Sequence, residues 1–350
     1  MEGSARNVTQ NVGVALLGYG YWGANLARNV RAARNLTLVG VADPSADQRS
    51  AAEAALPGIA TWDSLGGALA DDRVEAVVIA APASLHATLA QEALAAGRHV
   101  MVEKPLANTY AEALAIGQAA KDAGLIAMVG HTFLYSPPVW RLKELVASGE
   151  LGTPQYLYSQ RLSLGRVRRD CNALWNFAPH DISIMLHLLD ERPVEVSGTS
   201  MTMIDPANPD VFFAKLQFPS GVGAHLHVSW IDPRKTRLMT IVGDQKMVVY
   251  DDVSVDQKIA IVDSGMARTG DLGSFESLGD FQWRTRAGDI LIPRVEMTEP
   301  LRNEMEAFGH ACLTGETPAA NADHGADVVA ILAAIDASAR RGGSPQELSW

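Results

Sequence analysis

Cysteine is nearly absent: the 350 residues include only Cys171 and Cys312, too few and too far apart in sequence for a disulfide framework or a cysteine-built metal cage. Long apolar runs are also missing. No segment is apolar over the length needed to cross a bilayer, and the opening stretch MEGSARNVTQN lacks the apolar core of a secretory signal. The expectation is a soluble, cytoplasmic protein with no membrane partner. Positive charge is in deficit, with 29 Lys and Arg against 40 Asp and Glu and a formal net charge of −11. The summed field of such a surface repels nucleic-acid phosphates. The histidines, including His225 and His227 within an expected strand, show no helix-spaced pattern with carboxylates, so no metal is expected.

What is present is ordinary globular material, 47% hydrophobic and 20% charged, in a chain longer than one core usually serves. Two domains are expected, at 10–135 and 136–350. In the first, β-branched apolar runs at 12–17, 36–42, 74–80, 99–102 and 126–129 alternate with Ala-rich helical segments. That is the pattern of βαβ units in a doubly wound parallel sheet buried under helices on both faces. Gly97 and Gly124 sit where helices should end, and Thr109 with Glu112 forms a capping box for a helix over 110–123.

After residue 136 the pattern changes. Pro137 and Pro138 open a helix to about 148, and β-rich stretches follow at 155–163, 194–203, 211–218, 223–231, 236–242 and 246–250, separated by short turns. This spacing favours an α+β domain on a large, open-faced, mainly antiparallel sheet. Helices are expected over 175–189, 301–313 and 326–340, and 263–287 reads as a loop or contact surface. An open sheet face would be covered by a second copy, as homodimer or homotetramer.

Gly18, Gly20 and Gly23 in LLGYGYWG form G-x-G-x-x-G between the first strand and a helix. There the glycines allow a tight turn, close backbone approach to a pyrophosphate and helix–strand packing. Asp43 ends the second strand in VGVADP, where a carboxylate can accept both adenosine ribose hydroxyls and repel a 2′-phosphate. NAD(H) is therefore expected over NADP(H). A strand-end Asp that merely caps the turn at Pro44 is the competing reading. Tyr19, Tyr21 and Trp22 are bulky for a phosphate turn, and either line the cofactor cleft or pack between domains.

The segment VVIAAPASLHATLAQEALAAGRHVMVEKPLA, with Glu103, Lys104 and Pro105 after a strand, resembles the glucose–fructose oxidoreductase, inositol dehydrogenase and rhizopine catabolism (Gfo/Idh/MocA) family. The resemblance runs from residue 12 through nearly the whole chain. It implies that Ala81, Pro82, His86, Glu103, Lys104 and Pro105 lie along the nicotinamide, and His86 and His131, both after strand ends, are second-tier contacts to the nicotinamide or its ribose. RLSLGRVRRDCNALWNFAPHDISIMLHLL is similar to the branch acting at C3 of nucleotide-linked sugars, and the resemblance makes His180 the active-site histidine. Many members carry Asp four residues before it, whereas this chain has Asn176. Asn takes no proton, so Lys104 and His180 remain as the titrating pair. Asn172 and Asn176 are left to bind sugar hydroxyls, and Arg161, Arg166, Trp175 and Asp181 complete the candidate substrate set.

Such a pair suits alcohol oxidation. Lys104 donates to the reacting oxygen and His180 takes its proton, or the roles are exchanged, since a lysine beside a cationic nicotinamide gives up its proton readily. On its residues alone His180, after Pro179, reads rather as a satisfied histidine at a helix start, while for Lys104 the competing reading, a surface residue ending a strand, is outweighed by its place at the carboxyl end of a strand in a doubly wound sheet. His187 is expected to serve packing. The run Arg166, Val167, Arg168, Arg169 is either solvated surface or a pocket for phosphate or carboxylate. The expectation is NAD-dependent oxidation or reduction of a secondary alcohol on a sugar, with C3 of a nucleotide-linked hexose favoured. Free sugars or inositols, a redox-cycling epimerase or lyase that retains NAD, an NAD(H) sensor and a methyltransferase are the alternatives.

Overall fold

The computed structural model describes residues 11–165, 167–269 and 282–350, and the chain divides into two compact units. The first begins with β1 (Val12–Leu17), α1 (Tyr21–Ala32), β2 (Leu36–Ala42), α2 (Ala46–Ala55), β3 (Ala60–Trp62), α3 (Leu65–Leu69), β4 (Ala76–Ile79), α4 (His86–Ala95), β5 (His99–Glu103), α5 (Tyr110–Ala123) and β6 (Ala127–Gly130). All six strands are parallel, in the order β3-β2-β1-β4-β5-β6. Strand order reverses direction between β1 and β4, which places a crevice at their carboxyl ends. β1 and β4 are buried along their whole length, as expected of strands covered on both faces. The capping box at Thr109 and Glu112 and the left-handed Gly124 close α5 as the sequence indicates. The three-residue β3 and the short α3 were not foreseen; neither is long enough to show a hydrophobic period.

The second unit holds α6 (Pro137–Ala147), β7 (Pro154–Leu164), α7 (Ala173–Leu189), β8 (Glu195–Met201), β9 (Val211–Gln217), β10 (Gly223–Ser229), β11 (Ile231–Gly243), β12 (Met247–Asp251), β13 (Ile259–Val262), β14 (Gly265–Thr269), β15 (Gln282–Arg286) and β16 (Ile290–Leu291). Its nine-stranded sheet runs β16-β13-β12-β11-β7-β10-β9-β8-β17, with β17 at Gln346–Glu347. Only the β7–β10 pair is parallel. β14 and β15 form a separate two-stranded antiparallel sheet inside the stretch expected to be a loop or contact surface.

The strands of this sheet alternate. Leu157, Phe212, Ala214, Leu216, Leu226 and Val228 are buried on the face that meets α7, while Tyr156 and Phe213 on the other face are 48% and 42% exposed. His227 stacks on Phe213 on that open face, with ring centroids 4.3 Å apart. α7 starts at Ala173, so His180 lies mid-helix, with Pro179 also inside. The expected helix start at 175 is two residues late, because Asn172 supplies the cap.

α8 (Pro300–Thr314) and α9 (Ala322–Arg340) follow. Residues 298–333, which the sequence reading gave to the second domain, group with the first unit. The reasons are specific contacts. Arg28 pairs with Glu299, Asn35 Nδ2 donates to the Glu306 carbonyl at 2.8 Å, and Val129 N donates to the Ala320 carbonyl beside β6. Phe308 of α8 is fully buried, and α8 packs against α1, β1 and β2. Phe308→Ala should therefore destabilise the first unit by about 3–5 kcal/mol. Urea unfolding followed by far-ultraviolet circular dichroism measures this, and an unchanged midpoint would place α8 outside that core.

Candidate functional site

The turn after β1 is shaped by two glycines. Gly18 has φ +95°, and a Cβ there would lie 2.7 Å from the Ala80 carbonyl oxygen. At Gly23 a Cβ would meet the Gly18 oxygen at 2.1 Å, so any larger residue would push α1 off the strand. Gly20 caps α1 without a side-chain hydrogen bond, and open space lies where its Cβ would be. The first N–H groups of the helix thus open beside the uncrowded backbone of Gly20, which suits a pyrophosphate.

Asp43 closes this turn from β2. Its Oδ2 accepts from Tyr19 N at 2.8 Å and its Oδ1 from Ser45 N at 2.9 Å, and the residue is 7% exposed. Arg49 Nη1 donates to the Asp43 carbonyl at 2.8 Å. Of the three aromatics, Tyr19 is buried and Tyr21 is exposed. Trp22, in the first turn of α1, donates from Nε1 to Glu103 Oε1 at 2.6 Å. Trp22 therefore ties the start of α1 to the end of β5 within one unit.

Glu103 ends β5, and its Oε2 accepts from Lys104 N at 3.2 Å. Gly130 leaves room for that carboxyl, since a Cβ at 130 would lie 3.0 Å from it. Burial pushes the Glu103 carboxyl upward, opposed by the Trp22 bond and the Lys104 charge. Lys104 and Pro105 are half-buried at the strand's end. Ala81 and Pro82 follow β4, and Pro82 precedes a single 3-10 turn at Ala83–Leu85. His86 was expected beside the nicotinamide, but its ring is buried, and its two nitrogens face the carbonyls of Pro105 and Ala81. No ring nitrogen is left for a dinucleotide.

His131 lies deeper than expected. It is 2% exposed, neither ring nitrogen has a hydrogen-bond partner among the described residues, and its ring meets His324 edge-on at 5.5 Å. Burial, with His324 and Lys104 nearby, holds its imidazole well below the usual histidine range. Glu304 of α8 is a member of this region that sequence reasoning missed. It is 0% exposed, Thr132 Oγ1 donates to its Oε2 at 2.8 Å, and burial, reinforced by the charge of Glu103, drives its carboxyl well above the usual range. A signal existed. Leu301, Met305 and Phe308 mark the buried stripe of α8, and Glu304 stands on that stripe where a solvated glutamate would not.

In the second unit, Arg161 and Asp181 were expected to meet substrate. The structure instead pairs them in the core, Nη2 to Oδ1 at 2.8 Å and Nε to Oδ2 at 3.0 Å, 5% and 3% exposed, tying β7 to α7. Asn172 caps α7, accepting from Trp175 N at 3.1 Å, and its Nδ2 donates to Asp336 at 3.3 Å. Trp175, Asn176 and His180 are half-buried on α7, and Asn176 and His180, four apart, share a helix face. Arg166 lies outside the described residues. Lys143 Nζ donates to the His187 main-chain carbonyl at 2.8 Å. No metal-holding cluster of His, Cys, Asp or Glu is found among the described residues, nor any helix long and apolar enough to cross a membrane.

Comparison with known proteins decides the family. Residues 12–131 match the description "Oxidoreductase family, NAD-binding Rossmann fold", and residues 139–249 match the C-terminal domain of the same family. The chain belongs to the Gfo/Idh/MocA oxidoreductases. Among curated relatives, this member is 30% identical over 208 residues to a 1-carboxy-3-chloro-3,4-dihydroxycyclohexa-1,5-diene dehydrogenase of Comamonas testosteroni, covering 56% of this chain and 52% of that protein. It is 29% identical over 205 residues to the UDP-N-acetylglucosamine 3-dehydrogenase of Acidithiobacillus ferrooxidans, covering 58% and 63%. Similarity to the NAD-dependent scyllo-inositol 2-dehydrogenase of Bacillus subtilis is 24% over 318 residues, covering 88% and 86%. The chain spans only 52% to 59% of the length of several curated relatives that it matches. The solved aldose–aldose oxidoreductase of Caulobacter crescentus shares the fold, with TM-score 0.81 at 21% identity over 97% of this chain and 100% of that one.

Glu304 yields a signed pH dependence. Its folded-state carboxyl keeps its proton above the ordinary glutamate value of 4.5, where the unfolded chain has lost it, so its contribution to stability falls as pH rises past that value. Glu304→Gln, which keeps an acceptor for Thr132, should raise Tm at neutral pH by about 2–4 °C per kcal/mol recovered. The gain should vanish towards pH 4 in differential scanning fluorimetry. A Tm lowered equally at both pH values would contradict the buried neutral acid.

Proposed function

We propose that this family member is an NAD(H)-dependent oxidoreductase of a secondary alcohol on a polyhydroxylated substrate, with C3 of a nucleotide-linked hexose as the favoured position. One observation carries the reading: the Gly18 turn, Asp43 and the Lys104 turn stand at the carboxyl ends of β1, β2 and β5, around the reversal of strand order. Doubly wound sheets take their ligands at such a reversal. The residues fit a dinucleotide, with the open space at Gly20 for the pyrophosphate and Asp43 at the ribose end. A carboxylate there favours NAD over NADP, because it repels a 2′-phosphate.

When bound, NAD supplies the hydride acceptor for oxidation and, in reduced form, the donor for the reverse reaction. The protein's task is the proton and the charge. Lys104 is assigned as the cation that steadies negative charge growing on the reacting oxygen, and His180 as the base that accepts the hydroxyl proton while the carbonyl forms. Asn176, beside His180 on α7, is assigned to a neighbouring substrate hydroxyl. Trp22 and Lys104 N hold Glu103, so that carboxyl orients the turn rather than taking the substrate proton.

Similarity to the UDP-N-acetylglucosamine 3-dehydrogenase supports a nucleotide sugar. The broader coverage by the scyllo-inositol dehydrogenase supports a free polyol as the second reading. Tyr156 and Phe213 on the open sheet face support assembly with a second copy.

A panel of nucleotide sugars, free sugars and inositols incubated with NAD, read by nicotinamide absorbance, tests the substrate class. Turnover should appear with a nucleotide-linked hexose, and Lys104→Ala should lower kcat by about 10²–10⁴-fold. Full turnover in that variant rejects the lysine's role, and a response only to inositols selects the second reading.

A further inference from the structure

We propose that His86 is the positioning residue for Lys104, stapling the turn after β5 to the turn after β4 and so fixing where the lysine amine is presented. The inference rests on the reading above, in which Lys104 acts at the reacting hydroxyl. The ring of His86, the first residue of α4, is 1% exposed. Its Nδ1 stands 2.7 Å from the Pro105 carbonyl oxygen and its Nε2 2.9 Å from the Ala81 carbonyl oxygen. A histidine serving a cofactor or substrate keeps one nitrogen open to it. Here both nitrogens face main-chain carbonyls.

Carbonyl oxygens only accept, so the ring must be the donor. The imidazolium satisfies both carbonyls at once, whereas a neutral ring donates to one. Burial, the largest effect, and the Lys104 charge hold its pKa below the ordinary histidine value against the pull of the two carbonyls, which favours the neutral ring that donates to one carbonyl at a time. The residue bonded through Nδ1 directly follows Lys104. On the other side, Lys104 N is held by Glu103 Oε2 at 3.2 Å, and Glu103 is held by Trp22 Nε1 at 2.6 Å. The turn is thus tied from α4 and from α1, and of these ties the His86 ring alone also reaches β4. Loss of the staple should leave the ribose end of the nucleotide cradle intact, since the Asp43 bonds to Tyr19 N and Ser45 N do not involve His86.

Two substitutions separate the halves of the staple. Asparagine puts its amide nitrogen near the place of Nδ1 and keeps the Pro105 bond, while glutamine puts it near Nε2 and keeps only the Ala81 bond. In His86→Asn kcat should fall about tenfold and in His86→Gln about 10²-fold, with KM for NAD unchanged in both. Hydrogen–deuterium exchange over residues 103–108 should quicken in the same order, reaching about tenfold in His86→Gln. Unchanged exchange in His86→Gln overturns the staple, whatever the activity. Faster exchange with unchanged kcat overturns the positioning role. A wild-type protein with slow exchange, made fast by His86→Gln, that oxidises no alcohol in the panel supports the staple and overturns the sugar and polyol substrate reading.

Discussion

The bond from Tyr19 N to the Asp43 carboxylate, 2.8 Å long and out of water, is the constraint on which the nucleotide half of the molecule turns. It fixes the glycine-rich turn to the end of β2, and Gly18 N adds a second tie to the Ala42 carbonyl at 2.8 Å. The turn can come this close only because Gly18 accepts a positive φ and Gly23 lets α1 pack on it. One carboxylate thereby does two things. It ties the cradle to β2, and under the proposed reading it sets the sign of charge at the adenosine ribose.

The same economy governs the buried charges. Arg161 and Asp181 satisfy one another with two parallel bonds, so burying them leaves no lone charge, which is what makes buried ions costly. Glu103 is held by Trp22 and Lys104 N. Glu304, with one oxygen bonded to Thr132 and the other unpaired among the described residues, escapes the cost by staying protonated. Each of these groups anchors an element that carries candidate site residues: β7 and α7, the β5 turn, or the segment after β6.

Much of this was readable in the sequence. The parallel sheet, the glycine turn and the capping box at Thr109 depend on local pattern and showed at once, as did the mainly antiparallel second sheet. The return of residues 298–333 to the first unit did not, because it rests on contacts such as Arg28 with Glu299, which lie 271 residues apart. Position in a motif also left the intramolecular partners of Asn172, Arg161 and Asp181 hidden. Sequence shows that polar side chains are available, but only the folded chain shows that a helix cap or a buried partner has already taken them. His86 gives the same lesson, since its two partners are backbone carbonyls, to which sequence gives no clue.

Calorimetric titration of the purified chain with NAD, and separately with NADP, tests the central claim most directly. Saturable NAD binding at least about tenfold tighter than NADP binding is expected, the ratio that ~1.4 kcal/mol of repulsion at Asp43 would give. Tighter binding of NADP, or no binding of either dinucleotide, would contradict it.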